Sequence, residues 1–298
     1  MSNENGPAST ASSGSASGSA SGSARTIVLT GASDGIGAAA ARTLTAAGHR
    51  VLLVGRSPEK TAAVARETGA ESFVADFASF AQVRRLAAEI RERVGSIDVL
   101  ANNAGGVFGE RRPTEDGHER TFQINHLSPF LLTELLHEPL AAGRASIVNT
   151  SSVAAVRFGV IDIDDLDNRQ RFNANRAYGS AKLANILHVR GLHERYAAEG
   201  ISAVAFHPGM VGTNFAADTT SWFRFIYRTP LRHLILISAT KGGSTLQHFI
   251  DGAPGRDWEA GQYYDERSLV REPHPQAQDA ELVRELWRRS ALMVGLGD

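Results

Sequence analysis

The chain reads as an α/β protein: a single doubly wound domain with a parallel sheet of about seven strands and helices on both sheet faces. Three observations predict this. From residue 25 onward, short apolar runs alternate with amphipathic stretches of helical period. The runs are almost continuously apolar, as strands covered on both faces must be. No solenoid-length repeat and no internal linker interrupts residues 25–298.

The strand candidates, in order, are TIVLT, RVLLVG, SFVAD, IDVLANN, SIVNTS, ISAVAF and GQYYD. Amphipathic stretches between them include Ala38–Ala47, Ser79–Val94 and Ser128–Leu140. Strands of four to seven residues joined by longer helices imply βαβ units.

Composition sets the class. The 298 residues are 42% hydrophobic and 21% charged, with a net charge of −1. That balance favours a soluble globular protein and offers no polyanion-binding surface, so no nucleic-acid partner is expected. With no cysteine, disulfides and Cys-ligated metal centres are excluded. The histidines show no HExxH-type pairing, and no metal site is expected. Residues 1–24 are nearly all Ser, Gly and Ala, too poor in apolar surface to offset the entropy of ordering, and are expected to form a flexible tail. Arg25 is the first basic residue, which does not fit a secretory signal. The apolar run Leu234–Ala239 is far too short to span a bilayer. A cytoplasmic protein without a membrane partner is the expectation.

The stretch TGASDGIG, Thr30 to Gly37, follows the first strand and opens a helix near Ile36. Glycines there permit a tight turn and let backbone N–H groups approach a pyrophosphate, with the positive end of the helix facing it. Gly31, Ser33, Asp34, Gly35, Ile36 and Gly37 are the candidate phosphate-loop residues of a Rossmann-type fold. The spacing is GxxxGxG rather than GxGxxG, and a plain strand–helix turn is the alternative. The second strand ends at Arg56, where an acidic residue would bind the adenosine ribose and an arginine can hold a 2′-phosphate. NADP(H) is therefore the expected cofactor, with NAD(H) as the alternative; an ordinary surface arginine would look the same.

Further on come IDVLANNAGG (Ile97–Gly106), FQINHLSPFLL (Phe122–Leu132), IVNTSS (Ile147–Ser152), AYGSAKLAN (Ala177–Asn185) and FHPGMVGT (Phe206–Thr213). With TGASDGIG in front and in this order, they resemble the short-chain dehydrogenase/reductase family over about residues 25–298. The resemblance implies that Tyr178 is the proton donor or acceptor, Lys182 its partner, Ser152 the substrate-oxygen binder and Asn125 a support of the proton relay. It implies cofactor contacts from Asn103, Ala104 and Gly105 on the adenosine side. Tyr178, Lys182, Pro208, Gly209, Val211 and Thr213 would meet the nicotinamide end, with Asp76 and Phe77 beside the adenine. Ser151 competes with Ser152, and a kinking or capping asparagine would look like Asn125.

The chemistry supports these roles independently. Hydride transfer to a carbonyl leaves an alkoxide that must be protonated, and the cofactor has no proton to give. Tyrosine titrates near pH 10, too high for free acid–base work at neutrality. A lysine four residues on lies one turn away on the same helix face, and its charge favours tyrosinate. Ser152 adds a hydroxyl donor for the developing oxyanion. His207, before Pro208 at a strand end, reads as structural.

The segment Arg157–Arg176 between Ser152 and Tyr178 is polar and acidic. It resembles the insertion of the branch that holds retinol dehydrogenases and protochlorophyllide reductase, as do AYGSAKLANIL and the C-terminal GQYYDE and LWRRS. That branch implies a bulky apolar alcohol or carbonyl. A Ser/Gly/Ala tail stands where membrane-bound retinol dehydrogenases have an apolar anchor, and the light-dependent reductase's cysteines are missing, so neither specific activity transfers. Asn214–Lys241, with Trp222, Phe223, Phe225, Ile226 and Tyr227, suits a lid over an apolar substrate or, equally, a subunit contact or core helices. A catalytically silent NADP(H)-binding regulator and an epimerase or dehydratase with the same Tyr–Lys pair are the competing readings; a homodimer is the expected assembly.

Overall fold

Each predicted apolar run forms a strand in the computed structural model, which describes residues 24–209 and 238–297. The strands are β1 (Thr26–Thr30), β2 (Arg50–Gly55), β3 (Glu71–Val74), β4 (Val99–Asn102), β5 (Ser146–Thr150), β6 (Ser202–His207) and β7 (Gln262–Asp265). All pair in parallel, in the order β3-β2-β1-β4-β5-β6-β7. An eighth strand, β8 (Ser268–Val270), runs antiparallel to β7 at the sheet edge. The sequence pattern hides β8 because it is three residues long and its turn lacks glycine; Glu266 takes the left-handed conformation, at φ 51°.

Neighbouring residues of the central strands are buried on opposite faces. Val28 belongs to one core, while Ile27 and Leu29 belong to the other. This is why the strands are almost continuously apolar.

One face is covered by α1 (Gly35–Ala46), α2 (Pro58–Thr68) and α9 (Ala239–Asp251). At Gly243 a Cβ would come within 2.9 Å of Ala39 Cβ, so α9 lies close against α1. The other face carries α3 (Phe80–Arg93), α4 (Arg120–Phe122), α5 (Ser128–Leu135), α8 (Ala174–Tyr196) and α10 (Ala280–Met293). The short α6 (His137–Ala142) and α7 (Val153–Phe158) flank β5 in sequence. Ser79 caps α3, its Oγ accepting from Gln82 N. The helix expected over Ser128–Leu140 is instead two helices, α5 and α6, broken at Leu136. A π-helical turn, Gln123–Leu127, joins α4 to α5.

Strand order reverses between β1 and β4, so the chain leaves their carboxyl ends in opposite directions and opens a crevice there. The glycine-rich turn and the NNAG stretch both stand at that crevice. No helix among the described residues is long and apolar enough to cross a membrane. Positions 1–23 of the predicted tail lie outside the described residues.

Candidate active site

The turn after β1 needs glycine for two separate reasons. Gly31 and Gly35 adopt left-handed backbone, at φ 67° and 54°. Gly37 has no room for a side chain: a Cβ there would stand 2.2 Å from Gly31 O. Asp34 caps α1, its Oδ1 accepting from Gly35 N at 2.8 Å, while Lys60 Nζ bonds its Oδ2 at 2.8 Å. Ser33 packs over Gly55 at the end of β2, and Ile36 lies in the first turn of α1.

Across the crevice, the NNAG stretch is stitched to this turn. Thr30 Oγ1 accepts from Asn103 N at 2.9 Å and Ala104 N at 3.0 Å, and donates to Ala101 O. Asn103 Nδ2 donates to Thr30 O at 3.0 Å. A Cβ on Gly31 would lie 2.9 Å from Ala104 Cα, so two backbones meet with nothing between them. This close-packed turn leads directly into the N-terminus of α1, whose backbone N–H groups suit an anion such as a pyrophosphate.

The residues expected to handle the proton converge from three elements. Lys182 on α8 is only 2% exposed, and its Nζ donates to Thr150 O at the end of β5, 3.0 Å away. Burial pulls its pKa down to about 7. Tyr178 lies one turn earlier on α8 and is buried, its ring centroid 5.8 Å from Lys182 Nζ. Asn125 sits inside the π-turn; its Nδ2 donates to Gly106 O and Thr121 O, and its Oδ1 accepts from Gly106 N at 3.2 Å. Asn125 therefore lies in the helix kink and against the Gly105–Gly106 backbone at once. A Cβ on Gly105 would stand 2.5 Å from Asn125 Oδ1 and 3.2 Å from Lys182 Nζ, which brings the NNAG stretch, the π-turn and α8 to one point.

Ser151 and Ser152 separate cleanly. Ser151 Oγ donates to Lys182 O at 2.8 Å and is consumed in holding α8 to β5. Ser152 is the N-cap of α7, its Oγ accepting from Ala154 N at 3.1 Å. A hydroxyl that accepts the capping bond still has its own proton to donate, and among the described residues that proton has no acceptor.

The short chain dehydrogenase family pattern matches residues 25–223 of this chain. The chain belongs to the short-chain dehydrogenase family. A Streptomyces sp. (strain C5) protein assigned as a daunorubicin C-13 ketoreductase is 43% identical over 280 residues, covering 91% of this chain and 93% of that protein. Human retinol dehydrogenase 13 is 34% identical over 283 residues, 91% of this chain and 85% of the relative. A crystal structure of an uncharacterized protein from Mycobacterium paratuberculosis has a TM-score of 0.70 at 31% identity, covering 92% of this chain and 94% of that one. This short-chain dehydrogenase is an oxidoreductase acting on CH–OH groups with a nicotinamide cofactor, of the retinol dehydrogenase-like branch.

In this short-chain dehydrogenase, Arg56 follows β2 directly and is exposed, engaged by no hydrogen bond or ion pair among the described residues. Asp76 is half-buried just beyond β3, its Oδ1 accepting from Ala78 N. Phe77 is buried, and its carbonyl takes the hydroxyl of Ser128 at 2.6 Å. Asp76 and Phe77 thus stand just past the carboxyl end of β3, beside the end of β2. Pro208 and Gly209 follow β6, with Gly209 left-handed at φ 88°. Val211, Thr213 and nearly all of the aromatic segment after them lie outside the described residues; of that segment, Ser238 caps α9 and Ala239–Lys241 begin it. His207 is buried with its pKa lowered by desolvation.

The acidic insertion is not a loose loop. Gln276 clamps it with a pair of bonds, Oε1 accepting from Ile161 N at 2.8 Å and Nε2 donating to Ile161 O at 2.7 Å. Asp167 is buried, accepts from Glu119 N at 3.0 Å and pairs with His118, whose pKa it raises. Two parts of the site escape a reading of side-chain types. Thr30 stands in the quoted motif but acts by fastening two strand ends, and the Thr150 carbonyl is backbone.

Proposed function

We propose that this enzyme interconverts a bulky apolar ketone and its alcohol with NADP(H), Tyr178 giving or taking the proton. The observation that carries this reading is the buried Lys182 ammonium, held at Thr150 O one helical turn from Tyr178 and in touch with Asn125 through Gly105. Bound NADPH supplies the hydride. Gly31, Gly35 and Gly37 fit such a cofactor because the tight turn they make leads straight into the N-terminus of α1, where backbone N–H groups favour a pyrophosphate.

Ser152 presents its hydroxyl proton to the carbonyl oxygen, a single-point oxyanion site. Tyr178 then transfers its phenolic proton to the developing alkoxide. Lys182, as ammonium, stabilises the tyrosinate left behind, and a lysine poised near pH 7 takes up or releases a proton at little cost. Asn125 keeps the Gly105–Gly106 backbone in place beside both. Exposed Arg56 at the end of β2 supplies the counter-charge for a 2′-phosphate. Relatives named for a C-13 ketone of daunorubicin and for retinol favour a large carbonyl or alcohol as substrate.

The test is titration with NADPH and NADH, followed by intrinsic fluorescence, for wild type and Arg56→Asp, then a ketone and alcohol panel. NADPH is expected to bind the wild type at least about tenfold more tightly than NADH, with that preference lost in the variant. Equal binding of both cofactors by wild type refutes the Arg56 assignment; binding of neither refutes the reaction.

A further inference from the structure

A row of buried polar side chains behind Lys182 has no part in the chemistry above. Thr150 O, which receives Lys182 Nζ at 3.0 Å, also receives Asn185 Nδ2 at 3.3 Å. Asn185 follows Lys182 by three residues on α8, so both face the same strand end. With its amide N–H given to Thr150, its Oδ1 is the acceptor facing His126 Nδ1, 3.4 Å away. His126 therefore carries its proton on Nδ1, and Nε2 accepts from the Ser290 hydroxyl at 2.9 Å. Burial lowers the His126 pKa to about 4, which keeps the ring neutral and in one tautomer. Ser290 is fully buried on α10. Three elements far apart in sequence, α8, the π-turn and α10, thus end on one carbonyl oxygen.

We propose that Asn185 is a positioning residue for Lys182: it fixes the Thr150 carbonyl that receives the lysine, and His126 and Ser290 in turn fix Asn185. The inference rests on the role given to Lys182 above. A lysine side chain has four rotatable bonds, and its one hydrogen-bond acceptor among the described residues is this oxygen. Desolvation is the cause that moves its pKa, and no charged side chain contributes. Among the described residues, the titratable groups around the site are Tyr178 and His188 on α8, His126 in the π-turn and Tyr263 on β7. None of these supplies a carboxylate to hold the ammonium. A carbonyl gripped by two donors cannot swing, so Nζ keeps its aim toward Tyr178. A displacement of about 1 Å at such a group costs up to about a hundredfold in rate.

The chain has three lysines, Lys60, Lys182 and Lys241, of which Lys60 and Lys241 are exposed. Lysine ¹³Cε NMR of the full chain therefore gives three signals, and Lys182→Met identifies the one at the site. In Asn185→Asp, a carboxylate one carbonyl away is expected to raise the pH at which Lys182 titrates by about one unit or more. In Asn185→Leu, which keeps the volume and removes both bonds, kcat for ketone reduction is expected to fall at least about tenfold. Should Asn185→Asp fail to fold, Ser290→Ala takes its place, with a moved Lys182 resonance and kcat lowered about threefold. Folded variants with lowered thermal stability but unchanged Lys182 titration, resonance and kcat overturn the proposal. A wild-type protein that reduces no ketone overturns the reaction assigned above, whereas the lysine signals report on Asn185 without turnover.

Discussion

Replacing Lys182 by Met removes an ammonium from a position only 2% exposed and keeps an unbranched chain of similar size. Burial depresses the lysine pKa from 10.5 to about 7. At about 1.4 kcal/mol per pH unit, keeping that charge inside costs the fold about 5 kcal/mol at pH 6. The bond to Thr150 O offsets about 2 kcal/mol of this. Thr150 O is not orphaned by the substitution, because Asn185 still donates to it. Lys182→Met is therefore expected to be about 3 kcal/mol more stable than wild type at pH 6 and to turn over no substrate. The sign follows from linkage. Between pH 7 and 10.5 the unfolded lysine holds a proton that the folded one has released, so wild-type stability rises with pH across that window. The advantage of Met shrinks over the same range, is gone at about pH 9, and above that the wild type is the more stable protein. Urea unfolding of both proteins from pH 6 to 10 measures this directly. A Met variant less stable at pH 6, or a difference that does not change with pH, refutes the argument that burial of a charge dominates at this site.

Other substitutions separate the remaining parts. Gly37→Ala puts a Cβ 2.2 Å from Gly31 O, which is backbone and cannot swing aside. Calorimetry should show stability lowered by about 1–3 kcal/mol and cofactor binding weakened at least about tenfold. Ser152→Ala is expected to lower kcat about a hundredfold or more, since it removes the hydroxyl that stabilises the developing oxyanion while leaving Tyr178 to give the proton. Ser151→Ala, which breaks the bond to Lys182 O, should cost about 1 kcal/mol in unfolding with most activity kept; the reverse pattern would exchange the roles of the two serines.

Much of this protein was legible before any coordinates. The seven parallel strands could be read because each is short, mostly apolar and bounded by turn residues, a pattern that burial on both faces imposes locally on the central ones. Gly31, Gly35 and Gly37 were legible for a related reason: a left-handed backbone favours glycine and a 2.2 Å approach leaves no room for a side chain, so the constraint appears as a residue type. The spacing of Tyr178 and Lys182 places them on one helix face whatever surrounds the helix. Strand β8 was not legible, since three residues carry too little pattern to show a strand.

What the tertiary structure decided concerns partners distant in the chain. Ser151 and Ser152 are alike in sequence and differ because one hydroxyl meets Lys182 O while the other caps α7. Asn125 gained its meaning from Gly105 and Gly106, and the acidic insertion from Gln276 and His118. The depressed pKa of Lys182 follows from the atoms packed around it, which no count along the helix supplies. Sequence by itself determined the backbone path and the side chains offered to the crevice, because conformational preference and burial act within a few residues. Which groups bond, and with what charge, waited on the fold, because hydrogen bonds and desolvation depend on distance in space.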